Sequence, residues 1–115
     1  MLLKPYRLCK KKEIELVFKK GKTFKYQQLI LKSVNNQLNH HRFAILVSKK
    51  ISKKATVRNK IKRQLREIIR LKLKTLKIKN NQFKDNLLIT LPGIEKKDFS
   101  EKTQMVNKLW QMTHL

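Results

Sequence analysis

The densest set of reactive side chains in this sequence runs from Ser48 to Glu67, SKKISKKATVRNKIKRQLRE. Lys49, Lys50, Arg58, Lys60, Lys62, Arg63 and Arg66 are cations, Asn59 adds a polar amide, and only Glu67 offsets them. A helix face that is merely solvated mixes signs at i, i+4, because like charges at that spacing repel. The chemistry this run could do is phosphate binding, with the planar guanidinium groups offering a fork to phosphate or a base. Bond-breaking chemistry has no comparable home. RNA cleavage by side chains needs positioned histidines or paired carboxylates. His40 and His41 fall in a polar stretch that reads as a turn, and His114 is next to the last residue. Glu13 and Glu15 are two apart and face different ways on a helix, and the seven acidic residues show no metal-binding cluster. Cys9 lies near basic residues and reads as a bystander thiol.

Several elements must position these groups. Ile14, Val17 and Phe18 stand at i, i+3, i+4 and predict a short helix from about Lys11 to Lys20, stopped by Gly21. Leu8 precedes it and is placed to fold against it. Leu29-Ile30-Leu31 and Phe43-Ala44-Ile45-Leu46-Val47 read as strands, the second apolar enough to be central. The polar stretch Asn35-Asn36-Gln37-Leu38-Asn39 between them suggests a turn, and hence an antiparallel hairpin. The longest periodic segment runs from near Ala55 to about Leu76. On a wheel of about 100° per residue, Val57, Ile61, Leu65, Ile68, Leu71 and Leu76 share one arc. Asn59, Lys62, Arg63, Arg66, Arg70 and Lys74 share the opposite one, with Arg58 and Lys60 near its edges. Asn80-Asn81 breaks the pattern. Leu87-Leu88-Ile89-Thr90-Leu91 is a third short strand, closed by Pro92-Gly93. A last helix starts near Lys97 or Asp98, where an acid suits the N-terminal dipole, and carries Met105, Val106, Leu109, Trp110 and Met112. The order predicts an α+β sandwich with helices packed on one small sheet.

The charge narrows the partners. The chain has 115 residues, 30 Lys and Arg against 7 Asp and Glu, and a net charge of +23. Solubility of a small domain needs a magnitude of only about 2–8, so the excess calls for a polyanion. Residues 1–79 hold 25 Lys and Arg against 3 acids, whereas residues 80–115 hold 5 against 4. The binding surface therefore belongs to the first two thirds. The length suits a single domain spanning 1–115, and 40 % hydrophobic residues suffice for one modest core. One cysteine excludes an internal disulfide framework. No apolar run approaches the roughly 18 residues of a membrane span, and Met1-Leu2-Leu3-Lys4-Pro5 is too soon charged for a signal peptide. A reduced, cytoplasmic setting is expected.

Val47-Ser48-Lys49-Lys50, followed by Arg58-Asn59-Lys60-Ile61-Lys62-Arg63 and then Leu65-Arg66-Glu67, resembles the signature of the bacterial ribonuclease P protein subunit. Arg7-Leu8 and Val17-Phe18-Lys19-Lys20-Gly21 extend the resemblance toward the N-terminus. It implies a small basic cofactor of a catalytic RNA. The complex removes the 5′ leader of precursor tRNA by endonucleolytic hydrolysis, and the RNA subunit performs the cleavage with magnesium ions that it mainly binds itself. The implied fold has three helices and a mixed sheet of about four strands, of the ribosomal-protein-S5-domain-2-like type. It carries a basic central helix in a left-handed βαβ crossover, against the general right-handed rule. The fourth strand would come from splitting the segment 23–32.

By the same resemblance, Lys49, Lys50, Arg58, Asn59, Lys60, Lys62, Arg63 and Arg66 contact the RNA subunit. Ile14, Phe18 and Lys32 line a cleft for the precursor's single-stranded leader. Ile14 stands where many members carry an aromatic residue, and Lys32 where some carry tyrosine. Stacking on an aromatic is worth about 1–3 kcal/mol per base, so the cleft is expected to lean more on phosphate charge. Phe18 also fits a core position packed on the sheet. The expected partners are the ribonuclease P RNA and precursor tRNA, with no membrane and no obligate protein partner. A structural ribosomal RNA-binding protein is the alternative, with a helix-turn-helix regulator and a membrane-surface helix behind it.

Overall fold

Local pattern and long-range pairing together set the sheet, as a computed structural model of the chain shows. It describes residues 7–36, 38, 40–75 and 83–113. Met1-Leu2-Leu3-Lys4-Pro5, Gln37, Asn39, Leu76, Asn80-Asn81 and His114 lie outside the described residues. The elements are α1 (Lys11–Lys20), β1 (Lys22–Tyr26), β2 (Leu29–Asn35), β3 (Arg42–Leu46), α2 (Ala55–Thr75), β4 (Lys84–Thr90), a 3-10 turn (Ile94–Lys96) and α3 (Phe99–Thr113). The strand order is β1-β2-β4-β3. β1, β2 and β4 are antiparallel neighbours, and β3 runs parallel to β4. This is the α+β arrangement of three helices and a four-stranded mixed sheet, and its fourth strand does arise within the segment 23–32.

The expected hairpin between Leu29-Ile30-Leu31 and the strand at Phe43 does not form. The hairpin is β1–β2, turning through Gln27-Gln28 with Gln27 at φ 51°. β4 inserts between β2 and β3. Leu87 and Leu88 point to opposite faces and are both buried, so this strand needs cover on both faces. As an interior strand of the sheet, with helices on either face, it finds that cover, whereas the strand at Phe43, expected to be central, lies at the edge as β3.

Strand alternation splits the core in two. Leu29, Leu31, Phe43 and Leu88 face α2 and α3, packing on Ile61, Leu65, Ile68, Ile69, Met105 and Trp110. Trp110 stacks on Phe43 with ring centroids 5.5 Å apart. On the other face, Leu87 meets Leu8 and Val17, with Ile14, Val34, Ala44 and Ile89 around them. Leu8 does fold against α1. Leu71 is 45 % exposed, against expectation, and the buried arc of α2 turns instead through Ile69. α3 opens with a reciprocal cap: Asp98 accepts from the Glu101 N–H at 2.7 Å, and Glu101 accepts from the Asp98 N–H at 3.2 Å. Two bonds tie α3 to α2, from Lys72 to Asn107 at 2.8 Å and from the buried Lys102 to Gln64.

His41 is not in a solvated turn. It is 2 % exposed, its Nδ1 accepts the Lys84 N–H at 3.0 Å, and its ring lies beside Phe83 and Phe43. Alternation puts it on the face of Phe43, one residue before β3. Burial holds its pKa below the usual 6.5. The unfolded chain thus takes up this proton at a higher pH than the folded one, and stability falls as pH drops below about 6.5 toward the folded value. A series of thermal melts between pH 7.5 and 5 should show this decline. His41→Gln, which keeps an acceptor for Lys84 without a titrating ring, should flatten it; an equally steep decline in His41→Gln would assign the effect elsewhere.

Candidate nucleic-acid interface

The basic face of α2 follows from its core face. Ile61, Leu65, Ile68 and Ile69 are buried against the sheet and α3, so the opposite arc must face outward. Asn59, Lys62, Arg63, Arg66 and Glu67 line an open depression of about 530 Å³ on that arc. Glu67 is held by Arg70 through two hydrogen bonds, at 3.0 and 2.5 Å. Those bonds keep its carboxyl ionised, with a pKa of about 2. Among the described residues, Lys62, Arg63 and Arg66 take part in no ion pair, so their charge is open to an incoming anion. Lys60 is exposed on another flank; burial of Lys102, helped by the nearby Lys60 charge, depresses the Lys102 pKa.

Lys49 and Lys50 stand exposed in the loop that leads from β3 into α2. The loop is ordered from within. Ile51 is buried and its N–H bonds to the Ser48 carbonyl at 3.1 Å, while Ser52 Oγ accepts the Lys54 N–H at 3.2 Å. Arg58 reaches back and donates from its guanidinium to the Ser52 carbonyl at 2.8 Å. Arg58 therefore braces the lysine-bearing loop, a geometry that its place at the arc's edge did not announce.

A second surface lies on the other side of the sheet, where α1 packs. Phe18 is 52 % exposed, so the core reading of this ring does not hold. Lys32, on β2, places its Nζ 4.6 Å from the Phe18 ring centroid and donates to the Phe18 carbonyl at 3.1 Å. Phe18 and Lys32 are thus brought together. Ile14 is half-buried beneath α1 with Val17 and Leu87, and it supports the helix from below. Gly21 lets the chain turn directly from α1 into β1: a Cβ there would collide with the Val17 carbonyl and press on the Ser33 N at 3.1 Å.

An ion cluster anchors α1 to the sheet. Arg42 on β3 binds both oxygens of Asp85 on β4, at 2.8 and 2.6 Å, and the α1 carboxylate of Glu13 at 2.7 Å. Asn36 adds a bond to Asp85 at 2.8 Å. The Asp85 bonds, with Glu13, raise the Arg42 pKa above its already high value. The three charges stand at positions 13, 42 and 85, so no local spacing could have revealed them. Among the described residues, no group of three or more His, Cys, Asp or Glu is arranged to hold a metal ion.

An α+β fold whose central helix turns an uncompensated basic arc outward defines a small polyanion-binding domain. Residues 2–114 match the family model described as Ribonuclease P. The chain is 35 % identical over 104 residues to the ribonuclease P protein component of Clostridium kluyveri, covering 90 % of each chain. It is 42 % identical to that of Synechocystis over 69 residues, 56 % of that protein. The solved Staphylococcus aureus RNase P protein superposes with a TM-score of 0.83 at 26 % identity, over 94 % of each chain. The chain belongs to the ribonuclease P protein component family, the protein subunit of the ribonucleoprotein that processes tRNA 5′ ends. That membership sets aside the ribosomal-protein alternative. Among the described residues, no helix is long and apolar enough to cross a membrane.

Proposed function

We propose that this chain works in the cytoplasm on two partners through two surfaces. Lys49, Lys50, Arg58, Asn59, Lys60, Lys62, Arg63 and Arg66 serve the ribonuclease P RNA. The cleft of Phe18 and Lys32, floored near Ile14, takes the 5′ leader of precursor tRNA. The observation that supports this reading is the position of the sheet: α2 lies on one face and α1 on the other, so two RNA segments can be held without competing. The RNA subunit, with its magnesium ions, supplies the hydrolysis. The protein supplies positive charge that lets the two polyanions approach.

Purified protein alone should leave precursor tRNA intact, and its addition to the RNA subunit should raise cleavage at low magnesium. Robust cleavage by RNA-free protein would refute the assignment. Arg63→Ala should weaken binding to the RNA subunit by about 1–3 kcal/mol, the range for a lost charge-assisted bond, equally for substrates with and without a leader. Phe18→Leu should spare that binding and weaken only leader-bearing substrates. Equal losses of both affinities in both variants would show a single surface.

A further inference from the structure

The Phe18–Lys32 pair has a geometry that bears on what the cleft reads. The Lys32 ammonium lies over one face of the Phe18 ring and is also hydrogen-bonded to the Phe18 carbonyl. That face is occupied and unavailable to a base. Both contacts are to neutral groups, and among the described residues no carboxylate pairs with Lys32. Its charge is positioned but not cancelled. The strand register places Thr23 opposite Lys32 and Lys25 opposite Ile30, and alternation puts all four on the α1 side of the sheet. Lys25 and Thr23 are exposed. The floor beside Phe18 thus offers a second cation and a hydroxyl, with no further aromatic ring on β1 or β2 facing that way: Phe24 and Tyr26 pack on the opposite core.

We propose that Lys32, aligned by the Phe18 ring, supplies leader affinity by gripping the phosphodiester backbone, so that this protein holds a single-stranded leader with indifference to its bases. Phe18 acts here as a positioning residue: its ring and carbonyl fix the ammonium. This rests on the leader-cleft reading above and specifies what that cleft recognises.

The test uses the protein assembled with its RNA subunit and measures affinity for mature tRNA and for precursor tRNA carrying a uridine, adenosine or abasic leader of equal length. The expected result is that all three leaders raise affinity over mature tRNA and agree within about twofold. Lys32→Gln should then cost all three about five- to tenfold and leave mature tRNA unchanged. The salt slope of the leader's contribution should also fall by about 0.7, the value for one phosphate contact on a single strand. A tenfold weaker abasic leader would overturn the inference in favour of base stacking, as would an unchanged affinity in Lys32→Gln. A wild-type protein that does not distinguish precursor from mature tRNA would instead overturn the leader-cleft reading itself.

Discussion

Replacing Arg42 by alanine should cost folding stability up to about 3–5 kcal/mol, the range for removing one partner of a buried ion pair, since Asp85 is buried and Arg42 partly so. A small domain has only about 5–15 kcal/mol in total, so this single change should move the denaturation midpoint further than Arg63→Ala, Phe18→Leu or His41→Gln. The reason is geometric. Among the described residues, Arg42 is the one cation that binds both Asp85 and Glu13, and Asp85 would be left buried with the Asn36 amide for company. Glu13, more exposed, would turn to water. Urea titration of Arg42→Ala against wild type measures the loss, and a change below about 1 kcal/mol would show that the cluster is not what fastens α1 to the sheet. Replacing the pair together, Arg42→Met with Asp85→Leu, should recover most of the stability, since apolar substitutes for a buried pair are often neutral. Leader binding should not recover with it, because Glu13 would still have lost its anchor and α1 its fixed distance from Lys32.

Affinity for the RNA subunit should collapse with salt. The outward arc of α2 and its preceding loop suggest about 5–8 phosphate contacts, and a log–log slope of about −0.7 to −0.9 per contact predicts a loss of roughly 10²–10⁴ between 50 and 200 mM monovalent salt. Within that arc Glu67 is already engaged by Arg70, so little internal anion competes with the RNA. Filter binding or fluorescence titration across that range gives the slope directly. An affinity that holds constant would mean that the basic arc is not the contact surface.

Much of this architecture could be read from the chain. The bounds of α1, the start of α2 and the start of α3 follow from periodicity and from Asp98, because these signals are local. The basic arc was legible for the same reason: charge and period coincide over residues 59–66. Pairing was not. The strands at Leu29 and Phe43 looked adjacent because they are close in sequence, and nothing near them announces that residues 84–90 intervene. His41 looked polar by its neighbours and is buried by Phe83, more than 40 positions away. The family resemblance supplied Phe18 and Lys32 as cleft residues. That the ammonium would sit on the ring, and that Arg58 would turn back to its own loop, depends on side-chain reach that spacing does not encode.

The insertion of β4 between β2 and β3 also fixes an order of events during synthesis. The residues carrying nearly all of the net positive charge emerge first, with β2 and β3 already made and no strand to join them. The sheet cannot close until residues 84–90 arrive, and this non-local pairing makes closure slow compared with helix formation. For that interval the nascent chain is a polycation with an unfinished core: α2 can form and meet β3, but β4 and α3, which complete the cover of its apolar stripe, are still missing. At roughly 5–20 residues per second, the exposure lasts on the order of seconds. An RNA strand lying along the basic arc in that window would relieve the repulsion before the fold can do so, and assembly with RNA would then begin ahead of the finished domain.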